Sequence, residues 1–417
     1  MFTIQSNNLL SQNNSFPPNN THRILFILRE LWGENGVTSH LKNLAEGLTR
    51  QGFKVAIVSQ LASNLEGAYE QAIQAVEAFR ASGISYYIIS LPESSAFVRH
   101  PQQTMQSLKK LNAVVQDFKP DVIHCHSLSM VLYIHLVSAW HKIPFVSTCH
   151  TEPSPGIWKI KLIRLLHHFF PSLLGHRLIA ISSKVRYIFE ELLQCPSQNI
   201  RLICHGVNDE YFHQPSPEDH ANARSVFNLS SLHKVVCLIG RLDPLKRHDI
   251  LLSALAILQS QGLAVTALCA GKGYTDEQQK IQEFAIEFGV SEYVIFLGMT
   301  DVRQVLWASD VLVLLSEKEA FSLVIPEAMF CGVVPIRTPA GGSDDQIEHG
   351  INGFITPFND PENLAHYLKL VLQDNVLRIQ MAEASVKIAQ EKFRLDQMIE
   401  KTISVYQELA SISLRDH

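Results

Sequence analysis

No Cys-x-x-Cys spacing occurs in this sequence: its seven cysteines, Cys125, Cys149, Cys195, Cys204, Cys237, Cys269 and Cys331, are scattered, several inside apolar strand-like runs. That pattern reads as reduced core residues of a cytoplasmic protein. An excess of charge is lacking as well. Lys and Arg number 35 against 40 Asp and Glu, a net charge of −5, which gives no global reason to expect a nucleic-acid partner. Residues 1–20, rich in Asn, Ser and Gln, have neither the basic start nor the apolar core of a secretion signal. They read as a floppy tail, not a membrane anchor. No Asp-x-Asp pair is present, so no divalent metal is expected in the chemistry.

What is present is a long alternation of strand-like and helix-like segments. A chain of 417 residues is too long for one ordinary core and suggests two domains. Strand Arg23 to Leu28, the glycine loop Gly33 to Gly36, a helix from Thr38 to Gln51 with apolar Leu41, Leu44, Ala45 and Leu48, and strand Lys54 to Ser59 begin a Rossmann-like half. The loop lacks the spacing of a dinucleotide fingerprint, which argues against bound NAD. A helix from Glu66 to Ala81, a strand from Ile84 to Ser90 and a helix from Gln103 to Asp117 continue the pattern. Two strands then end at His124, Cys125, His126 and at Cys149, His150. Those residue types raise a zinc hypothesis. Alternation sends successive side chains to opposite faces, so few could share one ion, and no metal is expected there. For His124 and His126 the expectation is a satisfied core role.

Strands from Leu178 to Ser182 and from Arg201 to Gly206 close the first half, and the turn-rich stretch Gln214 to Asp219 ends a linker. The alternation then restarts with strands near 234–239, 264–270, 294–297, 311–315 and 333–336, separated by helices. The segment Ser316 to Gly353 holds the densest chemistry. Pro326 cannot sit deep in a helix, so the helix between the last two strands should begin near Ser322 and close at Gly332. Its free amides at Ser322 and Leu323 would favour an anion. Glu319 and Glu327, with seven residues between them, flank that point, and Gly341-Gly342 follows the next strand. Arg241 and Lys246 lie in a loop leaving the same sheet edge, where they could meet a diphosphate.

The glutamate pair followed by a Gly-Gly loop resembles the signature of retaining GT-B glycosyltransferases of the family-4 type, also called glycosyl transferases group 1. The resemblance runs from about His22 to the last helix. It implies two Rossmann-like doubly wound α/β domains with an interdomain cleft. It also implies catalytic roles for Glu319, beside the transferred sugar, His150, facing that sugar, and Arg241 and Lys246, on the departing diphosphate. Donor contacts follow from Gly36, Gly240, Gly271, Phe321, Ser322 and Leu323, with Glu327 on the ribose hydroxyls. Two positions depart from the family pattern: Asn35-Gly36 stands where two glycines are usual, and His205-Gly206-Val207-Asn208 stands where Asn-Gly-Val-Asp is usual.

The expected organisation is a tail over 1–21, an acceptor-binding domain over 22–210 completed by a returning helix over 395–417, and a nucleotide-sugar domain over 211–394. The expected reaction moves a hexosyl group from a UDP- or GDP-linked sugar to a hydroxyl of a glycan, lipid-linked or small-molecule acceptor, with no cofactor beyond the co-substrate. The alternatives are a nucleotide-sugar epimerase of the same fold and a catalytically silent binding module. The basic amphipathic stretch 157–170, IWKIKLIRLLHHFF, could touch an anionic membrane surface from the cytoplasmic side, though a helix packing its apolar stripe inward is the simpler expectation.

Overall fold

The computed structural model describes residues 22–33, 35–62, 68–91, 99–152, 176–273 and 275–413. Short apolar runs rich in Val, Ile and Leu, the central ones buried on both faces, form two parallel sheets. The first contains β1 (Arg23–Leu31), β2 (Lys54–Leu61), β3 (Ser85–Ile88), β4 (Val122–Cys125), β5 (Phe145–Cys149), β6 (Arg177–Ala180) and β7 (Ile200–Leu202). Their order is β3-β2-β1-β4-β5-β6-β7. The second contains β8 (Lys234–Ile239), β9 (Val265–Ala270), β10 (Val294–Gly298), β11 (Val311–Leu314), β12 (Val334–Arg337) and β13 (Phe354–Ile355), in the order β10-β9-β8-β11-β12-β13. Each order reverses beside its first strand, which opens a crevice at the carboxyl edge.

Register sets which loops meet. β11 pairs with β8 through Val311–Val236 and Leu312–Cys237, and with β12 through Val311–Val334 to Leu314–Arg337. The loops after β8, β11 and β12 therefore leave one edge side by side. In the first sheet β4 pairs with β5, His124 opposite Val146 and Cys125 opposite Ser147, so the two His-bearing strand ends are neighbours.

Two helices of ten residues or more were not expected from the sequence. Val131–His141 is a helix with no counterpart in the expected alternation. Its run VLYIHLVSAWH is apolar on nearly every side, so it carries no amphipathic period to announce it. The turn-rich stretch from Gln214 leads into a helix at Pro217–Val226. Ser216 and Asp219 form a reciprocal capping box there, and Pro217 occupies the first turn, where its missing N–H costs nothing. The short strand β13 was likewise absent from the sequence reading.

The last helix, Leu395–Ser413, packs on the first sheet's side of the molecule. The Glu408 carboxylate accepts from Arg177 Nε at 2.8 Å and from Arg201 Nη2 at 2.7 Å, and the Tyr406 hydroxyl lies 2.7 Å from His124 Nδ1. Among the described residues no helix is long and apolar enough to cross a membrane. The basic stretch 157–170 lies outside the described residues.

Candidate active site

The loops after β8 and β11 are stitched together before either presents a functional group. Asp243 caps the short turn Pro244–Lys246, accepting from the Leu245 amide at 2.9 Å. Glu317 N–H donates to the Leu245 carbonyl at 3.0 Å, and Arg247 Nη1 donates to Glu317 Oε1 at 2.8 Å. With those anchors in place Lys246 Nζ lies 2.5 Å from Glu319 Oε1. Both side chains are largely buried, 20% and 16% exposed, so solvent screens the pair far less than a surface ion pair. Gly240 lets the Lys246 stem lie close, since a Cβ there would meet its Cε at 3.4 Å.

Arg241 is placed differently. Its side chain is 72% exposed and leans on Asp243 at 3.2 Å, so it projects from the loop without joining Lys246 and Glu319.

Two glycines are required by close backbone approach. A Cβ at Gly271 (φ +139°) would lie 1.9 Å from the Gly240 carbonyl oxygen, and one at Gly341 (φ +60°) would lie 1.8 Å from the Glu319 carbonyl oxygen. Both distances are impossible for a side chain. Gly341 thus fixes the loop after β12 against the backbone of the residue that meets Lys246.

The helix after β11 begins two residues later than the sequence suggested. Leu323 is its cap and Val324–Phe330 its body, with Pro326 in the first turn and Gly332 (φ +72°) just past the Cys331 cap. The first backbone bond runs from Glu327 N–H to the Leu323 carbonyl, so the unpaired amides of this helix are those of Leu323, Val324 and Ile325. The Ser322 amide falls outside it. Ser322 is instead pinned by its carbonyl, which accepts from Gln346 Nε2 at 2.8 Å. Glu327 lies in the second turn, where desolvation raises its carboxyl to about 7.

Sequence reasoning passed over Arg337. It is fully buried at the end of β12, donating from Nε to the Thr338 carbonyl at 3.2 Å, from Nη1 to Gln346 Oε1 and from Nη2 to the Ala340 carbonyl. Burial pulls its pKa down to about 10, which leaves it charged at neutral pH. Arg337 therefore clamps the Pro339–Gly342 loop, and through Gln346 it also steadies Ser322. A cation closing an apolar strand, Val333 to Arg337, was the available signal.

Across the seam the first domain contributes its own edge. A Cβ on Gly36 would sit 3.8 Å from Leu323 Cδ1, so the glycine loop abuts the cap of the Val324–Phe330 helix. The Phe321 ring meets the His205 ring edge-on at 5.5 Å. Asp345 accepts from the Ser183 amide at 2.8 Å and from its hydroxyl at 2.5 Å. His150, partly exposed, stands behind His205, with its Nδ1 3.2 Å from His205 Nε2 and its Nε2 3.0 Å from His126 Nδ1.

The two core histidines divide. His124 is satisfied by Tyr406 and by Thr148 Oγ1 at 2.7 Å. His126 is only half satisfied, because its Nε2 is buried without a partner among the described residues. Burial holds both well below the ordinary histidine value, so both are neutral. Cys125 and Cys149 each donate Sγ–H to a backbone carbonyl two residues on, at 3.0 Å, and burial pushes both thiols up to about 12.

Two doubly wound domains with facing carboxyl edges define the GT-B fold. Comparison with known proteins carries this to the family. Residues 219–388 match the family described as Glycosyl transferases group 1, and residues 34–211 match Glycosyltransferase Family 4. An uncharacterized glycosyltransferase of Methanocaldococcus jannaschii is 26% identical over 384 residues, 89% of this chain and 94% of the relative. The N-acetyl-alpha-D-glucosaminyl L-malate synthase of Bacillus anthracis is 25% identical, over 78% of this chain and 84% of its own length. The Anabaena HepE structure in complex with UDP superposes with a TM-score of 0.77 at 22% identity, covering 93% of this chain and all of HepE. The chain belongs to the family-4, group 1 type of GT-B glycosyltransferases.

Proposed function

We propose that the protein is a retaining hexosyltransferase that moves a hexosyl group from a UDP- or GDP-linked sugar to an acceptor hydroxyl on a glycan, a lipid-linked molecule or a small molecule. The observation that carries this reading is the Lys246–Glu319 pair at the carboxyl edge of the second sheet, in a loop whose Phe321 meets His205, the neighbour of His150. Support for the donor class comes from HepE, solved with UDP and with UDP-glucose, and from the sugar-transferring B. anthracis relative.

In this reading the diphosphate lies over the loop Gly240 to Lys246 and the amides at the start of the Val324–Phe330 helix. Lys246 turns from Glu319 toward the phosphate as Glu319 turns toward the sugar. The bond between the anomeric carbon and the phosphate oxygen breaks, and the acceptor oxygen bonds to the same face. The acceptor proton passes to the departing phosphate. Lys246 and Arg241 stabilise the charge that develops there, while Glu319 and His150 orient the sugar. Glu327 accepts from the ribose hydroxyls. No metal ion is assigned to the diphosphate, because two cations and backbone amides already face it. The seven free cysteines, six of them buried, fit work in a reducing compartment.

Incubation with UDP-glucose, UDP-GlcNAc and GDP-mannose tests the reading, water standing in for the acceptor. Slow release of nucleoside diphosphate with a hexose that first appears in the donor's anomeric configuration by NMR is the expected result. Inverted hexose would overturn the retaining assignment. Isomerised nucleotide sugar would identify an epimerase, and binding without turnover a silent module.

A further inference from the structure

Three histidines from three separate elements converge behind the seam. His40 lies one turn into the helix Gly36–Arg50, His150 follows β5, and His205 follows β7. One ring nitrogen from each falls within 4.8 Å of the other two. His40 and His205 are 5% and 4% exposed, so their nitrogens are removed from water. Both ring nitrogens of His40, and Nδ1 of His205, have no hydrogen-bond partner among the described residues. A buried polar atom without a partner is destabilising. Ring contacts surround these imidazoles, and His150 alone has a neighbour at both nitrogens.

The geometry points to a three-histidine site for a divalent transition-metal ion of the zinc class, held by His40, His150 and His205. His150 Nδ1 and His205 Nε2 are 3.2 Å apart. Two nitrogens bound to one tetrahedral ion at roughly 2.0–2.1 Å would be about 3.3 Å apart. The same geometry sets imidazole centroids about 5 Å apart. Those of His150 lie 5.0 Å from His40 and 5.2 Å from His205. The His40 and His205 rings are stacked at 4.3 Å and 26° from parallel, so loading requires one of them to turn its edge nitrogen toward the ion.

The surroundings fit the chemistry of the ligands. His126 Nδ1 lies 3.0 Å from His150 Nε2 and can accept its proton. That tautomer turns the His150 Nδ1 lone pair toward His205, the usual second-shell device for a ligating imidazole. A ligating imidazole must be neutral to offer its lone pair. Three neutral imidazoles favour zinc, copper or nickel over magnesium or calcium, which prefer oxygen. His150 is the partly exposed member, so a fourth position facing it stays open to water. Of the five His and Cys residues at the two strand ends only His150 belongs to the set, and His205 stands at one of the two departures from the family pattern.

The site shares His150 with the proposed transfer site, so its test reads metal content and not activity. The full chain, free of any affinity tag, is stripped with EDTA and loaded with ZnCl2 or CoCl2, then desalted and analysed by elemental mass spectrometry. The expected result is one equivalent retained, with visible cobalt(II) absorption of a tetrahedral nitrogen site. His205→Asn and His40→Gln should each lower zinc affinity at least about tenfold in competition with a chromophoric chelator, and His126→Gln by about tenfold. No ion retained by the unaltered chain, or a full equivalent at unchanged affinity in both His205→Asn and His40→Gln, overturns the proposal. Should either variant fail to fold, the zinc-dependent rise in the unaltered chain's melting temperature decides, and its absence overturns the proposal equally.

Discussion

Lys246 Nζ and Glu319 Oε1 lie 2.5 Å apart although 73 positions separate them in the chain, and they are the closest tie between the loops after β8 and β11. Each neutralises the other in a largely dry setting, so removing one leaves the other as an uncompensated charge. Lys246→Ala and Glu319→Gln are each expected to lower kcat by about 100-fold or more, the scale of losing one preorganised electrostatic group. Steady-state release of nucleoside diphosphate measures this, and a loss below about threefold in both variants would remove the pair from the chemistry.

Arg241 and Glu327 should separate kinetically. Arg241 is mostly solvent-exposed, so Arg241→Ala should leave the melting temperature unchanged and act on kcat. Glu327→Ala should weaken nucleotide binding by about 10- to 150-fold, the range of about 1.5–3 kcal/mol for hydrogen bonds to a charged group. Calorimetric titration with UDP and GDP gives the second number. Equal effects of both variants on Kd and kcat would contradict the division of roles.

Gly341→Ala is expected to be severe for a positional reason alone. The added carbon would lie 1.8 Å from the Glu319 carbonyl oxygen, at a φ of +60° that side chains rarely adopt. Loss of several degrees in melting temperature together with activity is the expected outcome, whereas Gly262→Ala, with the same sign of φ but open space, should lose stability and keep turnover. Thermal denaturation and initial rates on the two variants make the comparison.

His248 sets an acid limit on stability. It is 2% exposed with neither ring nitrogen hydrogen-bonded among the described residues, and desolvation lowers its pKa from 6.5 to about 4. A histidine depressed in the folded state binds its proton more readily when unfolded. Its stabilising contribution is therefore complete above pH 6.5 and is lost as pH falls toward 4, by up to about 3 kcal/mol. His248→Gln should flatten that part of the urea-stability profile between pH 7 and pH 4. Parallel profiles for the two proteins would show that His248 does not carry the effect.

Much of the fold was legible because the central parallel strands are buried on both faces and several long helices on one. Val311–Leu314 and Lys234–Ile239 announce themselves as apolar runs, and Pro361–Gln373 as a periodic stripe. The helix Val131–His141 escaped because it is apolar all round, and Pro217–Val226 because its capping box looked like a turn. The start of the Val324–Phe330 helix was misplaced by two residues, since Pro326 bounds how far upstream a helix can begin without fixing where it does. In the site, Glu319 and Lys246 were visible from their residue types at strand ends. Arg337 was passed over, because a cation closing an apolar strand is a weak local signal and only packing shows that it is a buried clamp.

The order of elements along the chain, the two-domain alternation and the chemistry offered at each strand end were written in local pattern, because burial by a sheet or helix repeats every two or 3.6 residues. Which of those ends face one another was settled only by tertiary structure. Strand order and register are non-local: they set the loop of Lys246 beside that of Glu319, buried Arg337 beneath the Gly341 turn, and gathered His40, His150 and His205 from positions up to 165 apart in number. No spacing in a sequence carries that information, because contacts across parallel crossovers depend on how the intervening helices pack and not on the residues that finally touch.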